Sequence, residues 1–151
     1  MKAHSQRKHA LLSASGASRW IACTPSARLE ENYKEETSSY AKEGTLAHEL
    51  AELELRKRLG RIDTVAYRAE LIRIGHDENY SSDMQDYVNV YVDYVLEQFT
   101  AAKAVYAGSQ LIIEHRIDLT QFIEDGFGTG DAVIIAEDAI EVIDLKYGKG
   151  I

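Results

Sequence analysis

A chain of 151 residues, 45% hydrophobic and 28% charged, has the length and composition of one soluble globular domain with a core of its own. A single cysteine excludes an internal disulfide framework and a self-contained cysteine-rich zinc fold, and no apolar run reaches the ~18–20 residues of a membrane span. With 17 basic and 25 acidic residues the net charge is −8, which argues against holding DNA by electrostatics alone but not against an enzyme whose acids hold divalent cations.

Residues 1–12 read as a flexible basic tail carrying Lys2, His4, Arg7, Lys8 and His9. Its apolar stretch, Ala10-Leu11-Leu12, is too short for a signal peptide, so a cytoplasmic location is expected. The rest, 13–151, reads as one domain. From Ser13 to Arg28 the pattern predicts short helical pieces, with Ser15 capping one and Thr24-Pro25 opening another. Trp20 and Ile21 are expected to pack onto the domain, and residues 30–39 form a polar connector.

The first strong helix is predicted over 40–59, where Leu46, Leu50 and Leu53 follow helical spacing; Arg56, Lys57 and Arg58 suit its C-terminus, and Gly60 ends it. Residues 61–81 carry a weaker signal, with Ile72-Arg73-Ile74-Gly75 as a loop or short turn. Ser82 is expected to cap a long helix over 83–106 with the stripe Val88, Tyr91, Val95 and Phe99. After Gly108 the pattern becomes extended: strands over 110–119, 131–136 and 139–146, with a glycine-containing turn over 120–130. A domain stopping after its third strand leaves a sheet edge or face uncovered, so the C-terminal part of the core is expected to be missing.

Only Glu137-Asp138 separates the last two strands, which predicts a tight hairpin. A two-residue turn there pairs Ala136 with Ala139 and sets Asp131 against Asp144, with Cβ atoms about 4.5–5.5 Å apart. Like charges in that position call for compensation, and a divalent cation supplies it. Lys146, two residues past Asp144, projects from the same face. Asp144 is flanked by Val142, Ile143 and Leu145, so its strand is expected to be largely buried, where an ionised group is costly unless paired. The plainer alternative is that Asp131 ends a turn while Asp144 and Lys146 form a solvated face.

An acid, about a dozen residues, then acid-x-lysine on a hairpin is the pattern in GTGDAVII followed by IDLKYGKG. It resembles the PD-(D/E)XK nuclease superfamily. The upstream EGTLAHELAE, with Gly44, Thr45 and His48, is similar to the helix that carries a metal-ligating histidine in the RecB-like branch. LSASGASRWIACTPSARLEE joined to that run resembles an uncharacterised phage and prophage family carrying a RecB-like nuclease domain. The resemblance runs from about Leu12 to Gly150. It implies a restriction-endonuclease-like α/β fold, a mixed sheet with flanking helices, and metal-dependent DNA hydrolysis, as an exonuclease, in phage DNA processing or recombination.

By the same resemblance His48, Asp131, Asp144 and the backbone carbonyl of Leu145 would ligate Mg²⁺ or Mn²⁺. Asp131, Asp144 and Lys146 would be the catalytic set, with Lys146 positioning the attacking water and stabilising charge on the phosphate. Glu114 and Thr45 are candidates for a supporting shell; Glu114 reads equally well as an exposed strand residue. Glu49 and Glu52 read as solvated helix positions. DNA is the expected partner, with a phage recombination protein as a second. The helix with a Gln-x-x-x-Tyr element that follows acid-x-lysine in RecB-like nucleases is not in this sequence, so weak or absent activity is expected of the piece. Cys23 stands where some relatives place the first of four cluster cysteines, but one cysteine holds no iron–sulfur cluster. KYGKG lacks phosphate-loop spacing. A non-catalytic DNA-binding or scaffolding module on the same fold is the alternative function, and an unrelated interaction domain the third.

Overall fold

The computed structural model describes residues 10–13, 16–30, 38–123 and 126–148. They fall into two compact units. One is drawn from Met1–Glu36 and Arg116–Gly130, the other from Thr37–His115 and Asp131–Ile151.

The first unit contains α1 (Ala17–Ala22) and α2 (Ser26–Glu30). Gly16 is the N-cap of α1, without a side-chain cap bond; Ser15 lies outside the described residues. Pro25 immediately precedes α2, where its missing N–H costs nothing. Trp20 donates from Nε1 to the Ser13 carbonyl at 2.8 Å, whereas Ile21, expected to pack, is 70% exposed. Arg116 stacks on Phe127 with its guanidinium carbon 3.4 Å from the ring centroid.

The second unit holds the larger core. Ser38 caps α3 (Ser39–Arg58) by accepting from Ala41 N. Gly60, at φ +67°, takes the left-handed conformation that ends the helix. Leu46, Leu50 and Leu53 on one stripe, with Ala47, Ala51 and Leu55 beside it, are buried. That makes α3 the central helix, and full burial of a side chain such as Leu50 contributes roughly 1.5–3 kcal/mol. Residues 64–75, expected in part as a turn, form α4 (Thr64–Gly75). Its N-cap Asp63 accepts from both Val65 N and Ala66 N, so the start is fixed by a side chain rather than by apolar periodicity. The N-cap of α5 (Ser82–Val105) is Ser81, one residue before the expected Ser82. Its buried residues include Val88, Tyr91 and Val95 of the predicted stripe, while Phe99 is partly buried.

The sheet has the order β1 (Gln110–Asp118), β2 (Phe127–Ile135), β3 (Ile140–Ile143). A mixed sheet was the expectation; the three described strands are antiparallel, because consecutive strands joined by short turns can only return beside one another. The chain is thus mixed α/β, five helices and a three-stranded sheet among the described residues. The β2–β3 register pairs Ala132 with Ile143 and Ile135 with Ile140, and Ala136 N donates to Ala139 O at 2.9 Å. This is the register expected from a Glu137-Asp138 turn. β2 begins earlier than predicted, at Phe127, and β3 ends earlier, at Ile143. No helix among the described residues is long and apolar enough to cross a membrane.

Candidate functional site

The site is assembled in the second unit from α3, the end of β3 and the start of the second unit's part of β2. Ala132 and its partner Ile143 touch the core, as does Leu145. Alternation puts Asp131 and Asp144 out of phase with those residues, and continuing the register by one step sets the two acids against each other. Asp144 and Lys146 follow β3 rather than lying in it.

His48 sits one helical turn after Gly44, and its Nδ1 donates to the Gly44 carbonyl at 2.7 Å. That bond directs the other ring nitrogen outward. Nε2 lies 3.2 Å from Asp131 Oδ2. The same oxygen accepts from Leu145 N at 2.7 Å. With the ring protonated, Nε2 and this oxygen form an ion pair. The hydrogen bond to Asp131 accordingly pushes His48 up to about 9, against the opposing effect of burial. For Asp131, desolvation acts upward, but the bonds from His48 and Leu145 N outweigh it and hold the carboxyl below its ordinary range.

Asp144 has a different partner. Its Oδ2 is 2.5 Å from Lys146 Nζ, and the two side chains are 48% and 71% exposed. Val142 and Ile140 are exposed as well. The expectation that Asp144 lies in a largely buried strand is therefore corrected: β3 is an edge strand with one open face. Asp131 is thus paired with His48 and Asp144 with Lys146.

Glu114 lies in the middle of β1 at φ +47°, a left-handed conformation that costs a non-glycine residue roughly 1–2 kcal/mol. Burial, and then the nearby Asp131 charge, push its carboxyl up to about 7, while His48 acts the other way. Tyr91 was read in the sequence only as part of an apolar stripe. It lies in the field of Asp131, Glu114 and Asp144, and its hydroxyl donates to Ile143 O at 3.4 Å. Burial first and these charges second raise its phenol. No spacing rule connects position 91 to positions 114, 131 and 144, so only the tertiary fold exposes the relation.

Thr45 is exposed and donates to Ala41 O within α3, a bond directed to its own helix. Leu145 meets the site through its N–H, as donor to Asp131. Gly44 has a second role: a Cβ built on it would stand 3.4 Å from the Tyr147 carbonyl, so the segment after β3 passes close to α3 there.

The donor set suits a hard divalent cation: an imidazole nitrogen and carboxylate oxygens. His48 donates its other nitrogen to a backbone carbonyl, the arrangement usual for metal-binding imidazoles. The 3.2 Å between Nε2 and Oδ2 is close to the ~3 Å that separates adjacent ligands on an octahedral ion with bonds of about 2.1 Å. As the side chains stand, no three His, Cys, Asp or Glu residues among the described ones meet as a metal-holding group, and Asp144 is paired with Lys146.

A family model described as "Protein of unknown function (DUF2800)" matches residues 9–151. No solved structure matches the chain.

Proposed function

The chain belongs to the DUF2800 family, and from its own residues we propose that it is a divalent-metal-dependent DNA nuclease domain of RecB-like type. The observation that carries this reading is the meeting of His48 with Asp131, on an oxygen also held by Leu145 N, beside the Asp144–Lys146 pair. Histidine on a helix, aspartate on a strand and aspartate-x-lysine after the next strand are the residues whose sequence pattern resembles that superfamily. A restriction-endonuclease-like fold is part of the proposal; the antiparallel hairpin and flanking helices are compatible with it.

His48 Nε2, Asp131 and Asp144 would hold Mg²⁺ or Mn²⁺, with the Leu145 carbonyl as a further ligand. Such an ion supplies Lewis acidity toward a phosphate oxygen and a more acidic bound water. Leu145 N–H keeps Asp131 oriented. Lys146 would offer its exposed ammonium to the charge that grows on the phosphate. Glu114, whose carboxyl is pushed up to about 7 by burial and by the charge of Asp131, would be the supporting acid of the site. The substrate is DNA, cut from its ends, in phage or prophage DNA processing, with a recombination protein as partner and the cytoplasm as location.

The test pairs binding with activity. Mn²⁺ should raise the melting temperature of the full chain, and Asp131→Ala should remove that rise. Linear DNA should be lost in Mn²⁺, with Asp144→Ala and Lys146→Ala each lowering the rate by roughly 10²–10³-fold. The absence of both metal binding and cleavage would overturn the proposal. The second reading, a non-catalytic DNA-binding module, is favoured by the fact that both acids already have cationic side-chain partners. It predicts a gel shift that survives Asp144→Ala and no cleavage with either metal.

A further inference from the structure

The α5 helix packs one face on the core and turns a second apolar line away from it. On that line Tyr87, Val90 and Tyr94 are 64%, 68% and 48% exposed. Their spacing of three and then four residues puts them on one stripe, about 10 Å long at 1.5 Å per residue. Single exposed apolar side chains are ordinary on a protein surface, but three on one helical seam form a patch. Tyr87 packs edge-to-face on Tyr147, with ring centroids 6.2 Å apart, so the first ring of the stripe is held in place.

The same spacing, continued in both directions, reaches Asp83 and Glu97, and Asp86 lies one turn before Val90. All three acids are exposed, and none has a cationic partner among the described residues. Asp93, the remaining acid of the helix, is already paired with Arg58. No lysine or arginine occurs on α5 before Lys103. The apolar stripe is thus closed at both ends by carboxylates that lack counter-charges.

We propose that this face of α5 docks a basic amphipathic helix of a partner protein. Its apolar side chains would lie on Tyr87, Val90 and Tyr94, and its lysines or arginines would meet Asp83, Asp86 and Glu97. The alternating three and four spacing is that of a helix-on-helix seam, in which the charges at the margin choose the partner. A second copy of this chain is disfavoured by the same charges. An antiparallel pair would set Asp83 and Asp86 against Glu97, and a parallel pair would set each acid against itself. The net charge of −8 also steers a cationic segment toward the chain. The inference goes beyond the nuclease reading and uses none of His48, Asp131, Asp144 and Lys146.

Fluorescence anisotropy on the full chain tests this, with a labelled synthetic peptide of leucine and lysine patterned as an amphipathic helix. One control peptide has the same composition in scrambled order, and a second has glutamate in place of lysine. The patterned leucine–lysine peptide should bind about tenfold tighter than either, and less tightly as salt is added. Tyr94→Ala should weaken it about tenfold. Asp86→Lys combined with Glu97→Lys should remove its binding and confer binding of the leucine–glutamate peptide. Glu137→Lys combined with Asp138→Lys changes the net charge equally at the exposed β2–β3 turn, and should leave the affinity within about twofold. Circular dichroism melts check that each variant keeps its fold. Equal binding of the scrambled peptide, an equal loss in the turn variant, unchanged affinity in Tyr94→Ala, or no binding of any peptide would overturn the inference. So would light scattering that shows a dimer which Tyr94→Ala dissolves, since a second copy would then be the occupant.

Discussion

Two carboxylates removed from water on or beside α3 are held in opposite ways. Glu54, 8% exposed, sits where α3, α4 and α5 meet and accepts from the Tyr67 hydroxyl at 2.9 Å and Gln85 Nε2 at 3.3 Å, both neutral donors. Asp131 accepts from a backbone N–H and lies 3.2 Å from the imidazole of His48, whose pKa it raises to about 9. Through these two donors, Tyr67 and Gln85, Glu54 ties three helices together. A cationic partner makes Asp131 one half of an ion pair with His48. The difference is between an acid held by neutral donors inside the helix layer and one paired with a titratable side chain.

The sharpest way to break the comparison is Glu54→Ala. It leaves Tyr67 and Gln85 without their acceptor and opens a small void, so urea denaturation should show a loss of about 2–4 kcal/mol, with the Mn²⁺ response unchanged. Asp131→Asn should cost less, about 1–2 kcal/mol, since the amide oxygen can still accept from Leu145 N. It should, however, bring the His48 titration, followed by NMR, from about 9 down toward its ordinary 6.5.

A third prediction concerns pH. His48 has a raised folded-state value, so its contribution is complete below about 6.5 and is lost as pH rises through about 9. Asp131 has a lowered value, so its contribution is present above the ordinary carboxylate range and disappears as pH falls through its folded-state value. Melting temperature against pH should fall on the alkaline side with the native residues and flatten there in Asp131→Asn. Mn²⁺ should bind with proton release below pH 9, seen as a buffer-dependent heat in calorimetry. The smallest effect is expected at the exposed Arg58–Asp93 pair, where Arg58→Ala should change stability by no more than about 0.5–1 kcal/mol.

The parts of this architecture fixed by local chemistry were legible in the sequence. Glu137-Asp138 allowed one tight turn, and the β2–β3 register followed from it. Gly60 and the three basic residues before it marked the end of α3. The start of α4 was missed because its signal is the Asp63 side chain reaching two amides, while Ile72 to Gly75 imitate a turn. The burial of Asp144 was misjudged because apolar neighbours do not say whether a strand is at an edge; Val142 and Ile140 are exposed on β3. His48 near Asp131 followed from a resemblance in sequence pattern, but the places of Tyr91 and Tyr87 depend on how α5 lies along the residues after β3.

Gly44 joins two of these features. Its oxygen takes the proton of His48 Nδ1, and its bare Cα lets the Tyr147 carbonyl come near. A methyl group there would meet that carbonyl at 3.4 Å, at the border of ordinary contact. Position 44 therefore acts as a shim. Its carbonyl orients the ring while its bare Cα borders the lysine-bearing segment, so one residue of the helix serves both the imidazole and the chain leaving the sheet.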